Sequence, residues 1–209
     1  MKKIFLLLTV FLSVSVLNTN AQTLTLSPDE EKEFKGLISR MLETFTSNLS
    51  SIGSKDKENT VEFKRQVIKN TLRLFMCEGD SIQDMYGNKS RPAHMQTSTL
   101  RNGIEIKLEP QPIKEYLDKL MIMQYQKVTI KQAGTFHLSN LYKVGDHYEA
   151  TATFWQYFRG ERGDGRVYQD KTRKTIKIYV QLERDEYSGD NVVVVRFGDI
   201  DVAQTESAY

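Results

Sequence analysis

From Ser27 to Gly53, apolar residues return every three or four positions: Phe34, Leu37, Ile38, Met41, Leu42, Phe45, Leu49 and Ile52. That spacing lays one stripe along a helix of about five turns. Ser27-Pro28-Asp29-Glu30 supplies its start, with Ser27 as cap, Pro28 in the first helical position and Glu30 placed for a capping box. Gly53-Ser54-Lys55-Asp56 reads as the break. A second helix is expected from about Thr60 to Met76, turning Phe63, Val67, Ile68, Leu72 and Phe75 inward, and Glu78-Gly79-Asp80 ends it. The pattern then weakens. Tyr86-Gly87-Asn88 and Arg91-Pro92 are turn chemistry, and short strands over 95–100 and 104–108 flank the hairpin signal Asn102-Gly103. Pro112 to Ile122 is a third helix, with Ile113, Tyr116, Leu117, Leu120 and Met121 on one side.

Beyond it the period changes from three or four residues to two. Tyr125 to Gln132 alternates Val128 and Ile130 with Lys127, Thr129 and Lys131, and it extends through Phe136 toward Leu141. One long hairpin follows over 141–182. Its arms are 146–158 and 166–182, both rich in β-branched and aromatic residues, and the link 159–165 holds three glycines. In the second arm Ile176, Ile178, Val180 and Leu182 share a face, with Lys177 and Gln181 opposite. Val192 to Val195, Phe197 and Ile200 make a last strand that reads as buried on both faces. The class is α+β: two to three N-terminal helices packed on one face of a curved, mainly antiparallel sheet of four to six strands.

Residues 1–21 stand outside this domain. Lys2 and Lys3 precede an apolar run from Ile4 to Leu17, and Thr19-Asn20-Ala21 offers the small residues a signal peptidase reads. The run is short for a membrane span, so cleavage after Ala21 and export, periplasmic or secreted, are expected, with no membrane span remaining. Without Lys2 and Lys3 the 29 basic residues become 27, equal to the 27 acidic ones, and the formal charge of +2 falls to zero. A neutral chain implies no nucleic-acid partner. Cys77 is the only cysteine, which excludes an internal disulfide, and it is expected to be buried as a small apolar residue.

Several stretches resemble an uncharacterised family of exported Bacteroidetes proteins within the NTF2-like (cystatin-like cone) superfamily. They are Ile113 to Leu120 with Tyr125 to Ile130, Tyr148 to Phe158 with Arg159-Gly160, Asp164-Gly165 with Val167 to Thr172, and Val195 to Ile200. The resemblance covers about residues 110 to 202 and implies a single cone-shaped domain over 22–209. It transfers no catalytic residue and no cofactor, and it leaves a homodimer through the sheet as an option. Asp80-Ser81-Ile82 is similar to the acceptor of the Bacteroidetes O-glycosylation system, a three-residue match that makes Ser81 a candidate attachment point.

Enzymes of the superfamily resemble small isomerases and dehydratases that work with an Asp or a His–Asp pair, since proton removal beside a carbonyl needs a base in a dry pocket. Asp170 is the carboxylate to consider, sharing a strand face with Tyr168, Thr172, Lys174 and Ile176. It reads either as a base with a raised pKa or as the partner of Lys174 or Arg159. His137 is its candidate companion, at a strand end. His94 lies in the irregular segment and His147 in a turn, and no His pair has metal-ligand spacing. Gly160 to Gly165 lacks the following helix that a phosphate loop needs, so it is a turn. Arg159, Arg162, Arg166, Lys171, Arg173, Lys174 and Lys177, interleaved with carboxylates, read as a solvated mixed-charge edge. Trp155, Tyr157 and Tyr179, with Tyr168, suit either a ligand or partner surface or packing against the helices. The leading expectation is a non-enzymatic module holding a protein, peptide or small apolar ligand on its concave sheet face. The alternative is an isomerase or dehydratase with Asp170 as base.

Overall fold

The long first helix forms where the stripe and the cap agree. In the computed structural model, which describes residues 23–24, 27–55, 59–81, 91–184 and 191–208, a two-residue strand β1 (Thr23–Leu24) precedes α1 (Pro28–Gly53). Ser27 closes the capping box with Glu30. Phe34, Ile38, Leu42, Phe45, Leu49 and Ile52 are all buried. The signal segment, Asp56 and the Tyr86-Gly87-Asn88 turn lie outside the described residues.

The second helix, α2 (Val61–Leu72), is capped by the Thr60 side chain and stops four residues before the expected Met76. Val67 and Ile68 face inward, but Phe63 in the first turn is 44% exposed. Phe75 is fully buried by another route, through a bridge to Phe197 rather than on a helix face. The chain then makes a left-handed turn, Met76–Gly79, with φ of 58° at Cys77 and 52° at Glu78. Cys77 is half-buried rather than buried.

Four short strands follow before the third helix: β2 (His94–Met95), the hairpin pair β3 (Ser98–Arg101) and β4 (Ile104–Lys107), and β5 (Gln111–Pro112). The hairpin turns at Asn102 and Gly103, with φ of 52° and 76°. Those are the left-handed values that this dipeptide tolerates. Helix α3 (Ile113–Met121) buries Ile113, Tyr116, Leu117 and Leu120. The long strands complete the chain: β6 (Lys127–Leu138), β7 (Leu141–Val144), β8 (His147–Glu161), β9 (Val167–Arg184) and β10 (Asn191–Ser207).

Eight strands form the main sheet in the order β1-β7-β8-β9-β10-β2-β5, with β6 beside β7 on the same flank of β8. The excess over the expected four to six comes from the two-residue strands β1, β2 and β5, too short to carry a periodic signal. Among the strand pairs, β2 with β10 is parallel and the rest are antiparallel. Strand β10 runs seven residues past Ile200 with two register shifts. Val192, Val193 and Val194 are half-buried while Val195 and Phe197 are buried, so it is not buried on both faces.

Helix α1 lies against β6 and does more than cover it. Ser50 and Ser54, one helical turn apart, hydrogen-bond the outer edge of the strand. Ser54 Oγ accepts from Val128 N at 2.9 Å, and Ser50 Oγ accepts from Ile130 N at 2.7 Å. The same hydroxyls lie 3.2 and 3.0 Å from the carbonyl oxygens of Val128 and Ile130. Helix hydroxyls thus stand in for a neighbouring strand on an edge that would otherwise be open. Ser54→Ala orphans the buried Val128 amide and is expected to cost about 1–3 kcal/mol, read by urea unfolding. A cost within 0.5 kcal/mol, roughly that of an ordinary surface change, would show the bond to be dispensable.

Candidate functional site

Strands β8 and β9 pair in one unbroken register from Tyr148 opposite Val180 to Glu161 opposite Val167. Parity is therefore kept along both arms, and each face can be followed residue by residue. The even residues of β9 turn toward the helices. Val180, Ile178 and Ile176 are buried among apolar neighbours. Further along the same face come Lys174, Thr172 and Asp170, only 3%, 4% and 5% exposed, then the half-buried Tyr168. Phe154, Gln156 and Phe158 stand opposite Lys174, Thr172 and Asp170 on β8. On β10 the opposing residues are Val202, Thr205 and Ser207. The inner face is thus apolar at one end and polar at the other, and the polar end is just as buried.

Thr172 and Tyr168 are each held from more than one element. Thr172 Oγ1 donates to Asp170 Oδ1 at 3.4 Å and lies 3.3 Å from the Thr205 hydroxyl, which in turn meets Ser98 Oγ of β3. The Tyr168 hydroxyl accepts from Leu100 N at 3.2 Å, hydrogen-bonds Asp170 and lies 3.4 Å from Thr99 Oγ1. The β3–β4 hairpin is thereby tied over this end of the sheet. Lys174 Nζ has the Met95 sulfur at 3.9 Å. It makes no ion pair within 4.0 Å of Asp170, and the two interact through space. Gln156 Oε1 is buried with no hydrogen-bond partner among the described residues.

Burial dominates the electrostatics. It lowers the Lys174 ammonium to about 7 despite the charge of Asp170. It raises the Asp170 carboxyl, against the hydrogen bond of Tyr168, the charge of Lys174 and the hydrogen bond of Thr172. Burial, with Asp170 nearby, keeps the Tyr116 phenol of α3 protonated far above neutrality. It raises Tyr168 as well. Burial thus moves the carboxyl up and the amine down, toward each other's range, with two phenols held as hydroxyls beside them.

The other sequence candidates lie elsewhere. Trp155, Tyr157 and Tyr179 have the opposite parity and sit on the outer face, where no described helix packs, so they form no common surface with Tyr168. Cations cover them: Lys171 Nζ is 4.6 Å from the Trp155 ring centre, Lys131 Nζ 5.4 Å from Tyr157 and Lys177 Nζ 5.0 Å from Tyr179. The Tyr179 ring also lies on Gly198, leaving no room there for a Cβ. Arg159 is on that outer face, opposite Gln169 and paired with Glu161 at 3.2 Å, so it is no partner for Asp170. Of the seven cations read as a solvated edge, Lys174 is the exception, turned inward by its even number.

His137 is exposed and lines an open cleft between α1 and β6, so the structure does not join it to Asp170. His94 gives its backbone N–H to Asp199 at 2.9 Å, and Asp199 also holds Arg91. Partial burial works against the imidazolium of His147, but hydrogen bonds to Asp146 and Glu149 outweigh it and raise its pKa. Ser81 is exposed and its N–H donates to Asp80 at 2.9 Å, while Ile82 lies outside the described residues. The described residues hold no group of three or more His, Cys, Asp or Glu placed for a metal, and no described helix is long and apolar enough to cross a membrane. Sequence reasoning passed over Gln156, Thr205, Tyr116 and Met95. Strand parity would have placed Gln156 with Thr172, whereas Tyr116 and Met95 reach the site only through tertiary packing.

No protein-family model matches the chain, and no curated protein matches it. Among solved structures it is similar to an NTF2-like protein of unknown function from Exiguobacterium sp. 255-15, at 16% identity and a TM-score of 0.31, over 77% of this chain and 98% of that one. A superposition that loose carries no weight for the fold.

Proposed function

We propose that the chain is an exported, non-enzymatic binding protein of NTF2-like fold whose ligand site is the polar end of the inner sheet face. The ligand is a small polar molecule, in place of the apolar one expected from the aromatic residues. One observation carries this reading. Lys174 and Gln156 are both buried on the inner face, Gln156 opposite Thr172 and so one inward position along from Lys174, and among the described residues the amine has only a thioether in reach and the amide oxygen has no partner. Buried polar groups without partners are costly, and a fold keeps them where something else supplies the bond. A ligand oxygen accepting from Lys174 and a ligand hydroxyl donating to Gln156 Oε1 would satisfy both. The site offers hydroxyl donors and acceptors in Tyr168, Thr172 and Thr205 for orientation, and the apolar walls Phe154 and Phe158 for contact area.

A screen of small carboxylic acids, alcohols and carbonyl compounds by NMR tests it. Binders are expected to shift the resonances of Tyr168, Thr172 and Thr205. Gln156→Leu is expected to weaken them by about tenfold, the worth of one buried hydrogen bond. Shifts confined to Trp155, Tyr157 and Tyr179 would move the binding surface to the outer face and end this reading.

A further inference from the structure

Lys174 is a primary amine in surroundings unusual for a lysine. It is 3% exposed, flanked by Phe154 and Val202 in the register, and its nitrogen meets a sulfur rather than an oxygen. Asp170 stands on the same face of the same strand, hydrogen-bonded by Tyr168 and Thr172, more than 4.0 Å from the amine. That separation is wider than an ion pair. A structural pair would be expected to close the gap, because a buried ammonium gains most from direct contact with its counter-charge.

We propose that Lys174 is a nucleophile that captures a small aldehyde or ketone as an imine, with Asp170 as the proton carrier. The inference deepens the binding site above and rests on it. The nitrogen lone pair attacks the carbonyl carbon and forms the C–N bond, while the π electrons move to oxygen. Asp170 in its acid form protonates that oxygen, and the resulting carboxylate takes a proton from nitrogen, leaving a neutral carbinolamine. Asp170 then returns the proton to the hydroxyl. The C–O bond breaks, water departs, and the nitrogen lone pair closes the C=N bond as an iminium, whose N–H proton passes back to the Asp170 carboxylate. Amine and carbonyl become imine and water, with no oxidant or reductant consumed. Burial favours both ends of this sequence. It holds a fraction of Lys174 as free amine near neutral pH, and a water-poor wall of Phe154, Val202 and Met95 favours loss of water over hydrolysis.

The test uses the whole exported protein, incubated near pH 7 with butanal or glycolaldehyde and sodium cyanoborohydride, followed by peptide mapping. One reduced adduct is expected at Lys174 ahead of the exposed lysines. Asp170→Asn is expected to slow that adduct roughly 100-fold, a typical worth of general acid–base assistance, without moving it to another lysine. Labelling that follows surface exposure and omits Lys174 would overturn the proposal, whatever the variants do. Butanol and ethylene glycol separate the two readings by NMR. If they shift Tyr168 and Thr172 while the aldehydes leave Lys174 unlabelled, imine chemistry fails and the binding site stands. If neither alcohol nor aldehyde perturbs the site, both fail.

Discussion

Phe197→Ala is expected to lower the free energy of unfolding by about 4 kcal/mol, the usual range for truncating a fully buried phenylalanine. Phe197 on β10, Phe45 on α1 and Phe75 after α2 form a closed triangle of edge-to-face rings. Their centres are 5.6, 6.2 and 5.8 Å apart, and all three are 0% exposed. The cost combines lost transfer energy, a cavity in a region with little freedom to collapse, and two aromatic contacts worth roughly 0.5–1.5 kcal/mol each. The backbone is committed as well, since Phe197 N donates to Leu74 O at 2.7 Å. A domain of ordinary stability has about 5–15 kcal/mol in total, so the variant should sit near its unfolding threshold at 37 °C. Urea unfolding measures it. A loss below 1 kcal/mol, well under the range of about 3–5 for such a truncation, would mean that the triangle is not the joint between helices and sheet.

Asp170→Asn/Lys174→Met should make the protein more stable in mild acid and flatten its pH profile. The Lys174 pKa falls on folding from its ordinary 10.5 to about 7, so the folded state prefers the neutral amine. Below pH 7 both states hold the proton and the buried ammonium exacts its full penalty. From 7 to 10.5 folding releases a proton, and stability rises with pH by at most about 1.4 kcal/mol per unit. Above 10.5 the contribution is complete. Removing both groups, so that no buried carboxylate loses its counter-charge, is expected to gain about 1–4 kcal/mol at pH 6 and to abolish the rise above 7. Denaturation across pH 5 to 10 reads the difference between the two proteins. A native profile already flat from 7 to 10 would show that Lys174 keeps its proton there. A stability gain at pH 6 with loss of ligand binding would mark the pair as retained for function at the expense of stability.

The elements that could be read from sequence are those whose signals are local. The α1 stripe with its Ser27 and Glu30 cap, the Asn102-Gly103 turn, the α3 face and the glycine-rich reversal after β8 all depend on residues within a few positions of one another. The errors arose where local signals stopped. Helix α2 ends before Phe75 because that ring is drawn to Phe197, and Phe63 lies outward because α1 and α3 meet other sides of the helix. The strands β1, β2 and β5 owe their pairing wholly to partners distant in the chain.

The site divides along the same line. Strand parity alone assembled Tyr168, Asp170, Thr172 and Lys174 on one face of β9, while the separation of Tyr168 from Trp155, Tyr157 and Tyr179 needed the register between β8 and β9. Parity distinguishes two faces without saying which one the helices cover. The sequence leaves the aromatic face open between a ligand surface and packing on the helices, and places Lys174 with the solvated cations. The structure puts the aromatic residues on the outer face and Lys174 on the inner one. The apolar half of each inward face, Ile176 to Val180 on β9 and Val195, Phe197 and Ile200 on β10, must be buried, and the strands carry their polar continuation inside with it. Only tertiary packing could place Asp170 and Lys174 under Tyr116 and Met95 and leave Trp155 beneath Lys171 and Arg173.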